Sequence, residues 1–281
     1  MVGTARAPAA GTVLNALATG TGSAFAIDED VRATVELDRT GEVTGEVAGD
    51  PDADTTLVET CVRRVVAEHG DGEGGHVRTE SEVPMAGGLK SSSAAANATV
   101  LATLDALDAD MPREAACLLG VEAAREAGVT VTGAFDDASA SMLGGVTVTD
   151  NTTDTLLDRR EVAWDVAVYV PDERAYSADA DVSRCERVAP TARVVEELAL
   201  DGRYGEAMTV NGFAFCAALG FDTEPMVAAL PDVAGVSLSG TGPSYVAVGE
   251  TDAVRAARDR WSDYEGTTWL TTTRTDGART G

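Results

Sequence analysis

The stretch that most restricts how this chain folds is Pro84 to Ala98, PMAGGLKSSSAAANA, a glycine-turned loop that runs without a break into an alanine-rich segment. Its spacing predicts a tight turn at Gly87 and Gly88 and a helix from Ser91 to Leu107, built as one unit. Helix starts expose backbone N–H groups and the positive end of the macrodipole, so three serines with Lys90 beside them read either as a seat for phosphate or as a plain serine-capped helix entered through a flexible turn. Lys90 is the only lysine in the chain, against 20 arginines. The loop is not a P-loop, which needs glycine immediately before the lysine and another five residues earlier, where Leu89 and Pro84 stand here.

A chain of 281 residues, 44% hydrophobic, can bury a substantial core in one large domain or two small ones. It has no run of 18 uninterrupted apolar residues, and its start, MVGTARAPAAGTVLNALATG, lacks the apolar region of a secretory signal. A soluble cytoplasmic protein is expected. Cys61, Cys117, Cys185 and Cys216 are widely spaced without a CxxC pair and read as reduced core thiols. His69 and His76, the only histidines, fall in a connection, which argues against histidine catalysis or a histidine metal centre. The formal charge of −26 argues against nucleic acid or an anionic membrane as partner, because phosphate backbones are bound by basic surfaces. The acids are dispersed rather than gathered in a tail, a pattern suited to molar salt, where a Debye length of about 3 Å screens their repulsion.

Alternation of Val31, Ala33, Val35 and Leu37 predicts a half-buried strand, and Glu42 to Val47 a second one after the Thr40-Gly41 turn. Leu57, Cys61, Val62, Val65 and Val66 recur at helical spacing, giving a helix over Asp54 to His69 capped by Asp54 or Thr55. His76 to Val83 reads as a strand leading into the phosphate loop, and Pro112 opens a helix over Arg113 to Ala127 that Gly128 ends. Val146 to Thr149 reads as a strand and NTTDTLLDRRE as a polar connection. Further strands at Val162 to Val170, Val233 to Ser239, Tyr245 to Gly249 and Thr267 to Thr273 are interspersed with helices at Thr191 to Ala199, Tyr204 to Leu219, Glu224 to Leu230 and Asp252 to Trp261. Beyond Arg274 the tail is expected to fray. With no repeating βα unit, the order argues for an α+β fold, divided near residue 158 into domains 1–158 and 159–281.

Two further stretches carry candidate chemistry. VTVTGAFDDASASMLGG, Val129 to Gly145, sets two adjacent aspartates among Phe135, Met142 and Leu143, which a solvated turn would not need. Asp136 and Asp137 are therefore candidate site acids, with helix capping as the alternative. SGTGPS, Ser239 to Ser244, joins two apolar strands as a hairpin or a close backbone contact. Asn97 either faces the site or packs against a helix, and Arg174, Arg184 and Arg187 either clamp a carboxylate or phosphate or merely pair with nearby Asp and Glu.

These three motifs together resemble those of the GHMP kinase superfamily. Its phosphate loop is usually written P-x-x-x-G-L-G-S-S-A, and Pro84, Gly88, Leu89, Ser91 and Ser92 fit without a gap. Lys90 replaces the second glycine and Ser93 the first alanine, departures similar to the archaeal-type shikimate kinases of that superfamily. The resemblance implies an N-terminal domain like domain 2 of ribosomal protein S5 and a ferredoxin-like C-terminal domain. It implies that ATP lies along Pro84, Met85, Ala86, Gly87, Gly88, Leu89, Lys90, Ser91, Ser92, Ser93 and Ala94. Magnesium is implied on Ser92, or on Ser91 or Ser93 if the register slips, together with Glu126 or, one turn earlier, Glu122; solvated helix-face charges are the equal alternative for both glutamates. Lys90 would neutralise charge on the transferred group, and Asp137 would be the general base, although counting forward from Gly133 keeps Asp136 open. The implied acceptor is shikimate, phosphorylated on its 3-hydroxyl; homoserine kinases share SGTGPS and are the alternative, as is a silent small-molecule-binding member. Asn15 and Ser23 lie where the superfamily carries substrate-facing residues, with turn capping as the other reading.

Overall fold

The computed structural model describes residues 1–83, 87–130, 133–172 and 182–281. Its first sheet has seven strands: β1 (Val2–Leu14), β2 (Thr21–Asp38), β3 (Val43–Val47), β4 (Gly74–Ser81), β5 (Val146–Asp150), β6 (Thr155–Arg160) and β11 (Arg279–Thr280). The main path runs β11-β1-β2-β4-β3. β2 is long enough to take two partners on one edge: Thr21 to Phe25 pair with β5, and Val31 to Asp38 with β4. The predicted alternation holds, since Val31, Ala33, Val35 and Leu37 are all buried.

Four helices cover the inner face: α1 (Thr56–His69), α2 (Ser91–Ala106), α3 (Arg113–Glu126) and α4 (Phe135–Leu143). α2 is buried almost all round, which its alanines allow: it lies so close to the sheet that a Cβ on Gly3 of β1 would sit 2.1 Å from the Ala102 carbonyl oxygen. Only small side chains permit that approach.

The second sheet contains β7 (Asp165–Pro171), β8 (Gly235–Leu238), β9 (Tyr245–Gly249) and β10 (Gly266–Thr272) in the antiparallel order β10-β7-β9-β8. Counted within this unit the order is 4-1-3-2. Between β7 and β8 run α5 (Val182–Glu186), α6 (Ala189–Leu200), α7 (Tyr204–Leu219) and α8 (Glu224–Ala229), and α9 (Thr251–Trp261) joins β9 to β10. That is the ferredoxin-like pattern. An apolar wedge joins the two sheets, with Phe25, Ile27, Val146 and Val148 from the first packed in one cluster with Val166, Val168, Met208, Val246 and Val248. All four cysteines are buried free thiols, and burial pushes Cys61 up to about 12.

Two expectations are corrected. NTTDTLLDRRE is not a bare connection: its second half forms β6, which pairs with β5 because Thr149, Val148 and Val146 leave an open edge there. The tail does not fray either. Ala5 and Arg6 pair with Thr280 and Arg279, the Ala278 N–H donates to the Met142 carbonyl at 3.0 Å, and buried Arg274 reaches Asp30 at 2.6 Å. Buried hydrogen bonds and an ion pair offset the entropy of ordering these last residues.

Candidate active site

Two helices present their N-termini to one point. α2 is entered through Lys90 in left-handed backbone (φ 65°, ψ 26°), and α4 through Ala134 in the same conformation (φ 51°, ψ 34°). Such residues cost about 1–2 kcal/mol each, so both turns are held by what surrounds them. Across the gap Lys90 Nζ lies 2.8 Å from Asp137 Oδ1, with side-chain exposures of 8% and 16%. Both helix dipoles also favour negative charge here.

The loop before α2 is clamped from two sides. The Leu89 carbonyl accepts the Ala10 N–H of β1 at 3.1 Å, and the Lys90 carbonyl accepts the Ala94 N–H at 3.0 Å. From the other domain, Ser239 Oγ donates to the Gly88 carbonyl at 2.8 Å and Ser244 Oγ donates to that of Gly87. SGTGPS is therefore more than a hairpin; it lies against the phosphate loop. Glycine stands on both sides of this contact: a Cβ on Gly88 of the loop would sit 2.3 Å from the Ser239 carbonyl oxygen, and Gly240 of SGTGPS has a φ of 60°, with a Cβ there 2.9 Å from Lys90 Nζ. Ser91 is buried, Ser93 half-buried and Ser92 exposed. Pro84, Met85 and Ala86 lie outside the described residues, as does Arg174.

Asn15 and Asn211 join the domains behind this loop. Asn15 Nδ2 donates to the Gly240 carbonyl at 2.7 Å, its N–H donates to Asn211 Oδ1 at 2.9 Å, and its Oδ1 accepts the Leu17 N–H at 2.9 Å. Asn15 is thus a turn cap and a tie from β1's end to the second unit. Thr12 adds a second tie, accepting the Gly240 N–H at 2.8 Å. Ser23 is fully buried in β2, and Arg184 donates to the Ala217 carbonyl at 3.1 Å.

Asp136 has a different environment from its neighbour. It is 4% exposed, and its Oδ1 accepts the Asn151 Nδ2 at 2.7 Å while its own N–H donates to Asn151 Oδ1 at 3.1 Å. Burial, and then the charge of Asp137, push its carboxyl up to about 7, with Lys90 and Asn151 pulling the other way. A carboxyl so placed is a poor partner for solvent and a good structural acid. Asn97, fully buried on α2, donates to the Ala138 carbonyl at 2.9 Å, so it binds α2 to α4 rather than facing open space.

Glu126 and Glu122 are turned to a different partner. Arg64 of α1 donates to Glu126 at 3.0 Å and to Glu122 at 2.6 Å, and both glutamates are more than half exposed. Among the described residues no hydrogen bond or ion pair joins either glutamate to Ser92, and no group of three His, Cys, Asp or Glu is gathered to hold a metal. Magnesium that arrives on nucleotide phosphates is usually held by one or two carboxylates beside them; Glu122 and Glu126 are paired with Arg64 instead, and the Ser92 side chain is the exposed one among the three serines at the head of α2. Asn151 is the residue that the sequence reading missed: it stands one position beyond a strand in a polar turn, where nothing periodic marks it.

Comparison with known proteins agrees with this layout. Residues 56–145 match the GHMP kinases N terminal domain. The chain is 65% identical over 283 aligned positions to a shikimate kinase of Halobacterium salinarum, covering 100% of both chains. It is 52% identical over 254 positions to a shikimate kinase of Methanosarcina mazei, covering 90% of this chain and 87% of that one. In fold it is similar to homoserine kinase from Cytophaga hutchinsonii, with a TM-score of 0.77 at 19% identity over 100% of this chain and 97% of the other. The phosphate loop, the facing aspartate and full-length similarity at this level place the chain in the GHMP kinase family, among its archaeal shikimate kinases.

Proposed function

We propose that this protein transfers the γ-phosphoryl group of ATP to the 3-hydroxyl of shikimate, with Asp137 as general base and Lys90 as the charge that steadies the transferred group. The observation that carries the reading is the 2.8 Å contact of Lys90 with Asp137 between the starts of α2 and α4. Phosphoryl transfer asks mainly for placement and charge. The nucleotide phosphates lie along Pro84 to Ala94, held by the N–H groups and hydroxyls at the head of α2. The acceptor hydroxyl attacks the γ-phosphorus, its proton passes to the Asp137 carboxylate, and the bond to the bridging oxygen breaks to release ADP. Lys90 is then placed to leave Asp137 for the transferring oxygens, where charge grows.

Magnesium bound with the nucleotide supplies charge neutralisation on its phosphates. Ser92 is the protein oxygen that fits it; Glu126 joins only if its pair with Arg64 opens. The two walls of the cleft are the chain through β6, which runs on to Arg160 and so carries the first unit past residue 158, and the remainder of the chain, with the tail from Arg274 returned to the first. The dispersed acidity fits a cytoplasm of molar salt, and among the described residues no helix is long and apolar enough to cross a membrane. The test is a coupled assay of ADP release in 3 M KCl with shikimate and with homoserine as acceptors. Release on shikimate alone is expected; release on homoserine alone overturns the reading in favour of the other acceptor, and release on neither overturns it outright.

A further inference from the structure

Asp136 sits next to the proposed base, but its side chain is buried between β2 and Asn151 rather than paired with Lys90. Its Oδ1 and its N–H form a two-bond pair with Asn151, at 2.7 and 3.1 Å. Asn151 is itself fixed: Thr149 Oγ1 of β5 donates to its Oδ1 at 2.7 Å. On the other side a Cβ at Gly22 of β2 would lie 2.3 Å from Asp136 Oδ2, so the strand backbone is the wall against which this carboxyl rests. The first turn of α4 is tied to β5 once more, since Ser139 Oγ donates to Thr147 Oγ1 at 2.8 Å and Thr147 Oγ1 in turn donates to the Asp136 carbonyl at 3.5 Å. Every residue named in this lattice is buried.

A catalytic group displaced by about 1 Å loses on the order of 10²-fold in rate. α4 has nine residues and enters through a left-handed alanine, with no side-chain cap of its own. Left alone, such a helix start would fray. The Asp136 pair supplies what a cap would, on the residue adjacent to Asp137.

We infer that Asp136 and Asn151 form a positioning pair for the phosphoryl-transfer base: they lock the first turn of α4 to β5 and β2, and so hold the Asp137 carboxylate at the Lys90 ammonium. The inference rests on the function proposed above. Asp136 is not itself the base in this arrangement. It acts through the direction it gives to its neighbour.

The experiment measures kcat, the KM for shikimate and ATP, and nucleotide affinity for the wild type and for Asn151→Ala, Asp136→Ala, the double variant and Asp136→Asn. Either alanine variant should lower kcat at least tenfold while ATP affinity stays within about threefold. The double variant should lose no more than the worse single one, because the pair acts as one device. Asp136→Asn keeps an acceptor for the Asn151 amide and should recover most of the loss suffered by Asp136→Ala. Nucleotide affinity reports the folded fraction, and Asn151→Ser replaces Asn151→Ala if the latter does not fold. A kcat unchanged in Asn151→Ala, multiplicative losses in the double variant, or no recovery in Asp136→Asn each overturns the inference. If the wild type lacks activity on shikimate, the parent reading has failed; if it is active and Asp137→Asn is not, while Asn151→Ala keeps its turnover, only the positioning role has failed.

Discussion

Lys90 Nζ, on the left-handed residue that enters α2, lies 2.8 Å from Asp137 Oδ1 in the first turn of α4, which is itself entered through a left-handed residue. A carboxylate alone between two helix starts and a lysine alone against a glycine turn would each be costly to bury; together they form a compact ion pair. It also joins the phosphate loop to the proposed base.

Replacing Asp137 by Asn keeps its size and removes the proton acceptor. Shikimate-dependent turnover is expected to fall by about 10²-fold or more, with ATP affinity within about threefold of the wild type. Steady-state kinetics and nucleotide titration check this, and near wild-type turnover returns Asp137 to a merely capping role.

Lys90→Met removes the chain's only lysine ammonium while keeping a side chain of similar length. Turnover should drop by more than ATP affinity does, because the charge acts chiefly on the transition state. Equal losses in both would mean that Lys90 serves ground-state binding.

Asp136 makes stability depend on pH in a stated direction. Its carboxyl is raised in the folded protein to about 7 by burial and by Asp137, against about 3.9 in an unfolded chain. The folded state therefore binds the proton more tightly; the stability this gives is complete below the unfolded value and is lost as pH climbs through that window. Asp136→Asn cannot ionise, so its stability relative to the wild type should increase from pH 5 to pH 8. Denaturant melts at both values in 3 M KCl measure the difference, and a constant gap contradicts it.

Arg274 is buried to 7% exposure and bonds Asp30, itself 10% exposed, at 2.6 Å. Arg274→Ala leaves that carboxylate with Arg6 at 3.9 Å as its nearest ion-pair partner. The loss should be about 3 kcal/mol, with β11 released from β1. Chemical denaturation and proteolysis of the tail are the measurements; an unchanged midpoint would mean that the tail adds nothing.

The whole surface carries 47 acidic residues against 21 basic ones. The melting temperature should rise between 0.1 and 3 M KCl as repulsion is screened. A flat response would show that the charge is tolerated without salt.

Much of this protein was legible locally. The helix carrying Leu57, Cys61, Val62, Val65 and Val66 and the strand carrying Val31, Ala33, Val35 and Leu37 fall where hydrophobic period places them, because burial of one face is written into spacing. The turn into α2 was legible for a related reason: paired glycines followed by consecutive serines mark a backbone turn that ends in a helix start. Asp136 and Asp137 also stood out, but two adjacent acids look alike in a sequence. Only the packing of α4 against Gly22 and Asn151 sends one into the interior and turns the other to Lys90. Long-range contacts likewise decided the rest. Glu126 had the right distance along the chain for a metal ligand, yet Arg64 on a helix more than fifty residues earlier holds its carboxylate. The tail lacked any strong strand pattern, and pairs with β1 because that strand's open edge lies beside it in space. Periodicity reports which face of an element is buried, whereas the partner of a polar group is set by which elements the fold brings together.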